Sequence, residues 1–140
     1  MDLSQIKTGD RKIEILHPAH GDRVGISVSL MSIDDERLSK VKRQITDRRM
    51  YLEARGKTFK AEELEENKIT ILTTAITGWD WYNPTGTEGD KDYDPDGQAT
   101  WNGEVPEFTR KNVTAILSDP KAVWLQDQIN EAVGETKAFF

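Results

Sequence analysis

The chain has 140 residues, of which 36% are hydrophobic and 31% are charged, so it fits one domain with a modest core. It has no cysteine, which excludes disulfides, thiolate metal sites and thiol nucleophiles. No apolar run is long enough to cross a bilayer, and no basic region followed by an apolar block opens the chain, so we expect neither a membrane partner nor a secretory signal.

The net charge of −6 is unevenly distributed along the chain. Nine basic residues lie between positions 37 and 60, against two acids. Eight acidic residues lie between positions 80 and 107, against Lys91 alone. A basic helix can bind nucleic acid, but the acidic balance of the whole chain favours a solvated surface. We therefore expect no nucleic-acid partner.

Two stretches near the N-terminus alternate between apolar and polar residues, over 12–16 and over 24–30. Alternation with β-branched residues predicts strands with one buried face. The segment between them, His-Pro-Ala-His-Gly-Asp, is rich in turn formers. The pattern predicts a β-hairpin over about 12–31. Because a lone hairpin is marginal in water, it must pack on helices or pair with another strand, from this or another subunit.

Four helices are predicted after the hairpin, over about 33–55, 60–77, 109–118 and 120–134. The first begins at Ser-Ile-Asp-Asp-Glu, where a hydroxyl or carboxylate caps the free amides, and the second ends at Gly78. Thr109 caps the third, and Asp119-Pro120 opens the fourth. The apolar residues expected to face the core are Leu38, Val41, Ile45, Leu52, Leu64, Ile69, Ile71, Leu72, Ala75, Ile76, Trp79, Val113, Ile116, Leu117, Trp124, Leu125, Ile129, Ala132 and Val133.

A long acidic loop over 80–107 is predicted between helices 2 and 3. Three of the four tryptophans, Trp79, Trp81 and Trp101, frame it. Because indole rings bury a large apolar area, we expect both ends of the loop to be fixed on one core while its tip is mobile. The chain is thus predicted to be a single α+β domain over 1–140, with an N-terminal β-hairpin packed on a bundle of about four helices.

Two groups of residues could hold a metal ion. His17 and His20 lie in the hairpin turn, but the chain has no further histidine and no cysteine to complete a site, so we interpret them as solvated turn residues. Asp92, Asp94 and Asp96 followed by glycine match the first half of a calcium loop. The second half departs from that pattern, because the nearest acid lies one place late. A non-standard calcium site and a solubilising loop both remain open.

The sequence lacks the motifs of nucleophilic, phosphate-binding and zinc-dependent catalysis. Four glutamates at the start of the second helix are interpreted as exposed first-turn acids, which suit the helix dipole, and not as a catalytic cluster. We therefore predict that the protein is not an enzyme, and no cofactor other than the calcium of the open alternative is expected.

Short motifs in a definite order carry a resemblance to one family. They are His17-Pro18 and Gly21 in the turn, Ser32-Ile33-Asp34 before the basic helix, Ile76-Thr77-Gly78-Trp79, Val105-Pro106-Glu107-Phe108-Thr109-Arg110-Lys111-Asn112, and a final helix around Trp124 to Ile129 before Phe139-Phe140. From about Ile13 to the C-terminus, this order resembles the tail assembly chaperones of long-tailed, siphovirus-like bacteriophages or prophages. The loop over 82–100 is longer and more acidic than in that family's pattern.

The resemblance implies a non-catalytic protein of the host bacterial cytoplasm that is absent from the mature virion. It would bind the tape measure protein, help to recruit the tail tube protein, and could self-associate. In that family, ribosomal frameshifting often yields a longer product with an extra C-terminal domain.

A groove between short helices could cover the apolar stripe of a partner helix. The candidate lining residues, each of which can instead be a plain core residue, are Trp81, Trp101, Phe108, Trp124, Phe139 and Phe140. Two other functions stay open at this point: a structural tail or head-tail joining protein, and a calcium-dependent binding module using the acidic loop.

Overall fold

The computed structural model describes residues 10–134, which form three β-strands and four α-helices. The strands are β1 (Arg11–Leu16), β2 (Arg23–Leu30) and β3 (Ile76–Trp81). The helices are α1 (Glu36–Glu53), α2 (Ala61–Ala75), α3 (Arg110–Leu117) and α4 (Val123–Val133), and a single 3-10 turn, Pro120–Ala122, leads into α4. The predicted α+β class and the N-terminal hairpin followed by helices are confirmed.

The three strands form one antiparallel sheet in the order β1-β2-β3. Val28 of β2 lies opposite Ile13 of β1 and opposite Trp79 of β3. Successive side chains of a strand point to opposite faces of the sheet, yet Ser27 and Val28 are both buried. Strand β2 is the central strand, so residues of β1 and β3 flank its side chains on both faces. The additional strand that pairs with the hairpin is β3 and therefore comes from this chain itself.

The predicted end of the second helix is wrong. Helix α2 ends at Ala75 instead of 77, and the next six residues form β3. Met31 N donates to the carbonyl of Ala75 at 2.8 Å, which places the end of the helix beside the end of β2. Gly78, predicted as the helix terminator, pairs with Ser29 inside the sheet. Trp79, predicted on the helical stripe, is a strand residue, and the first two residues of the predicted loop also belong to β3.

The starts of α1 and α3 depend on short polar side chains. The Oδ1 atom of Asp35 accepts a hydrogen bond from Arg37 N at 2.9 Å, so α1 begins at Glu36, three residues later than predicted. The hydroxyl of Ser32 accepts from Asp34 N at 3.3 Å in the turn that precedes this helix. The hydroxyl of Thr109 accepts from Asn112 N at 3.1 Å and caps α3. Each cap satisfies an amide that has no partner within its own helix.

Helix α2 is at the centre of the helical layer. It contacts α1, α3, α4 and β3, and its residues Ile71 and Leu72 are fully buried. The core combines these residues with the apolar side of the sheet, including Ile15 and Leu30, and with Leu125 of α4. Each helix within residues 10–134 is too short or too polar to span a bilayer.

Residues 82–99 of the segment between β3 and α3 form a loop that is closed at its base beside β2. Tyr82 N donates to the carbonyl of Gly25 at 2.8 Å, and Ala99 N donates to the carbonyl of Tyr82 at 3.2 Å. Between these points, the Asn83 side chain donates to the carbonyl of Asp94 at 2.6 Å, and Asp94 N donates to the hydroxyl of Thr85 at 2.9 Å. These bonds join the two sides of the loop and limit its freedom.

Replacing Gly25 of β2 by alanine should destabilise the protein more than replacing Gly21 of the hairpin turn. Gly25 has a φ of +96°, and a Cβ atom there would lie 2.3 Å from the Tyr82 carbonyl oxygen and 2.8 Å from Pro84 Cδ. We expect Gly25→Ala to lower the free energy of unfolding by about 3 kcal/mol, because strain and overpacking add. Urea denaturation followed by circular dichroism measures the change.

Gly21→Ala is the matched control. Gly21 has a φ of +74°, but a Cβ atom there meets nothing within 4 Å. We expect this substitution to cost only about 1 kcal/mol, which is the left-handed backbone penalty alone. Equal losses for the two variants would show that the loop does not press on β2 at Gly25.

Candidate protein-binding groove

Three aromatic rings run from the core to the surface. Trp81 is a core residue with 8% of its surface exposed, and its ring meets that of Trp79 edge to face at a centroid distance of 5.6 Å. The Trp79 ring meets that of Phe108 in the same manner at 5.7 Å. Phe108 is 42% exposed. Edge-to-face pairs of this kind add to the stabilisation that comes from burial, so the exposed ring is held by the core.

The backbone around Phe108 is fixed by side chains from two elements. The Trp79 indole Nε1 donates to the carbonyl of Pro106 at 3.2 Å, and the Asn112 amide donates to the carbonyl of Glu107 at 2.9 Å. Thr109 caps α3 immediately afterwards. The segment is therefore held between β3 and α3, and Phe108 has a defined position.

Phe108 lies at the edge of a groove of about 530 Å³. Helix α1 contributes one wall, and Phe108 with the start of α3 contributes another, above the junction of α2 and β3. The apolar lining residues are Met31, Val41, Ile76, Phe108 and Val113, and the polar ones are Arg37, Lys40, Thr73, Thr74, Thr77 and Arg110. This size falls within the range of about 300–1,000 Å³ that is usual for ligand pockets.

The ionic residues that line the groove are all basic. Arg37 is held by the Asp35 carboxylate, to which its Nε and Nη2 atoms donate at 3.0 and 2.9 Å. These hydrogen bonds, together with the attraction between the charges, raise the pKa of Arg37 above its usual value, so it remains a cation. The side chains of Lys40 and Arg110 form no hydrogen bond or ion pair with any residue of the described range 10–134.

A second depression of about 510 Å³ is lined by residues that directly precede Phe108 in the chain and by residues of α3. Trp101 lines it together with Val105, Pro106 and Ile116. Trp101 is half-buried and pairs with Glu104 through two backbone hydrogen bonds of 2.7 and 3.2 Å. Val105 is 53% exposed. The two depressions therefore form neighbouring parts of one surface.

The four aromatic candidates that fall within the described residues do not line one groove. Phe108 lines the groove, Trp101 lines the neighbouring depression, and Trp81 belongs to the core. Trp124 is half-buried on α4, where it packs against the core. Phe139 and Phe140 lie outside the described residues. The sequence predicts the groove residues Val41, Ile76 and Val113 as core-facing residues, and it does not propose Met31, Lys40 or Arg110 as binding residues.

The acidic candidates form a turn. The Asp94 carboxylate accepts a hydrogen bond from Asp96 N at 2.9 Å, and the Asp94 carbonyl accepts from Gly97 N at 2.9 Å. Within residues 10–134, no three acidic or histidine side chains come close enough together to hold a metal ion. The geometry thus gives no support to calcium binding at Asp92, Asp94 and Asp96.

The two histidines of the hairpin turn also have a local role. The Nδ1 atom of His17 accepts from the backbone amides of Ala19 and His20 at 3.1 and 3.3 Å, and the two rings stack at 4.4 Å. These contacts stabilise the turn and occupy one of the two nitrogens of the His17 ring.

Comparison of the chain with known protein families, with curated proteins and with solved structures found no match.

The middle ring and the exposed end ring of the row Trp81, Trp79, Phe108 should differ in their contribution to stability. Phe108→Ala removes a ring that is 42% exposed, so we expect a loss of about 1 kcal/mol. Trp79→Ala removes the ring between Trp81 and Phe108 and the hydrogen bond to Pro106, so we expect a loss of about 3 kcal/mol. Urea denaturation measures both values, and a larger loss for Phe108→Ala would contradict this assignment.

Proposed function

We propose that this protein is a non-catalytic tail assembly chaperone of a long-tailed bacteriophage or prophage, and that its groove binds a helical segment of the tape measure protein. The observation that carries the proposal is the position of Phe108, which is 42% exposed at the edge of a largely apolar groove. The order of sequence motifs, which includes the segment from Val105 to Asn112, supplies the link to tail assembly.

The groove suits a helix for physical reasons. An amphipathic helix presents an apolar stripe that must be covered, and docking between short helices is one of the recurring ways to cover it. The apolar lining residues come from several elements: Met31 directly follows β2, Val41 lies on α1 and Ile76 begins β3. Phe108 precedes α3, and Val113 lies on it. A ligand that crosses the groove therefore meets several elements at once.

Phe108 is suited to be the main anchor. Aromatic residues held in place at the centre of an interface tend to supply most of the binding energy. The contact between Phe108 and Trp79 fixes the ring before any partner arrives, so little side-chain freedom would be lost on binding. Recruitment of the tail tube protein and self-association belong to the same proposal, and the second depression, beside Trp101, is the surface we assign to such additional contacts.

The proposal is tested by co-expression with the tape measure protein of the same phage or prophage. We expect the chain to increase the soluble fraction of that protein and to co-purify with it. Phe108→Glu should abolish the effect, because a charge replaces the anchor and weakens binding by about 2 kcal/mol, or roughly 30-fold. An unchanged amount of insoluble tape measure protein with and without the chain contradicts the proposal.

Val123→Glu is the matched control for this experiment. Val123 is 51% exposed on α4 and does not line the groove. A glutamate there stands in the first turn of a helix, where a negative charge is favourable, so we expect full rescue of solubility. Mass spectrometry of purified particles adds a second criterion, since an assembly chaperone should be absent and a structural tail component present.

A further inference from the structure

The charge of the groove is opposite to the charge of the whole chain. The chain carries a net charge of −6, yet Arg37, Lys40 and Arg110 are the ionic residues of the groove lining, and no carboxylate lies among them. A local potential of this kind selects partners of opposite charge and steers their approach.

Two of these cations are available to a partner. The Asp35 carboxylate already binds Arg37, whereas Lys40 and Arg110 have no ionic partner among residues 10–134. Lys40 lies on α1, and Arg110 is the first residue of α3. A segment lying between these two helices would meet one free cation from each.

We propose that the groove is specific for an amphipathic helix whose apolar stripe is flanked on both sides by glutamate or aspartate. This inference rests on the proposed function and names the chemistry of the partner segment. The apolar stripe of the helix contacts Phe108, which is 42% exposed, and the half-buried Val41, and its flanking carboxylates pair with Lys40 and Arg110. On a helix, the residues beside the stripe project to either side of it, so one helix can satisfy both cations.

A helix flanked by lysine or arginine fits the groove less well for two reasons. It places like charges beside Lys40 and Arg110, and it leaves these cations partly desolvated without a partner. A helix with neutral flanks avoids the repulsion but not the loss of solvation. We therefore expect the helix with acidic flanks to bind most tightly, the helix with neutral flanks less tightly, and the helix with basic flanks least tightly.

The test uses three synthetic helical peptides of one length that share a Leu/Ile stripe at helical spacing. Their flanking positions are all glutamate, all glutamine or all lysine. Fluorescence anisotropy measures the binding of each labelled peptide to the full chain at low and at high salt. At low salt we expect the glutamate peptide to bind about tenfold more tightly than the lysine peptide, and the difference to shrink at high salt because exposed ion pairs are screened.

Charge reversal in the double variant Lys40→Glu, Arg110→Glu should invert the order, so that the lysine peptide binds more tightly than the glutamate peptide. The control is the double variant Arg43→Glu, Lys111→Glu. It makes the same change in composition and net charge on the same two helices, at exposed residues that do not line the groove. We expect this control to keep the order of the unmodified chain.

The possible results separate this inference from the proposed function. Equal affinities for the three peptides, or an inversion in the control as large as in the groove variant, overturn the inference on charge and leave docking of a helix in place. The absence of binding by all three peptides also overturns it. Failure of the proposed function is recognised independently, by tape measure protein that remains insoluble in co-expression.

Discussion

The pairing of β2 with β3 is the contact on which the other features of this fold depend. It makes β2 a central strand and supplies the partner that an isolated hairpin lacks. Because β3 follows α2 directly, the same pairing fixes the C-terminal end of that helix against Met31. It also places Trp79 and Trp81 on the sheet, where Trp81 is a core residue. The long segment that follows therefore starts from a fixed point.

The groove is a consequence of this arrangement. Trp79 reaches from β3 to the segment before α3, where its indole binds the carbonyl of Pro106 and its ring contacts Phe108. Helices α1 and α3 both contact α2, and the groove lies over the end of α2 between them. The residues of the groove are more than 80 positions apart in the chain, from Met31 to Val113. The fold thus combines local elements into a surface that no single segment contains.

The sequence was sufficient for the hairpin and for the existence of four helices, because alternation and helical periodicity are local signals. It was insufficient for β3. Ile76 continues the helical spacing of Leu72, and Gly78 resembles a helix terminator, so the helical pattern hid a strand signal of β-branched and aromatic residues ending in Trp-Asp-Trp. Pairing with β2 makes residues 76–81 a strand instead of a helix end. Such pairing is a long-range interaction, which local sequence patterns do not show. The groove was missed for the same reason: Phe108 was recognised as an aromatic candidate, but Lys40 and Arg110 become neighbours of one groove only in the folded chain.

In the proposed mode of binding, the groove combines a rigid group with flexible ones, and the two kinds would serve different purposes. Phe108 is held by Trp79 and by a fixed backbone, so an apolar partner can bind it with little loss of side-chain entropy. Lys40 and Arg110 end in long, mobile chains, whose charges act over a distance but contribute modestly to affinity at an exposed edge. Affinity would thus come mainly from the ring and discrimination mainly from the cations. A small protein with one modest core can achieve both, because the aromatic row extends that core to the surface without requiring an additional structural element.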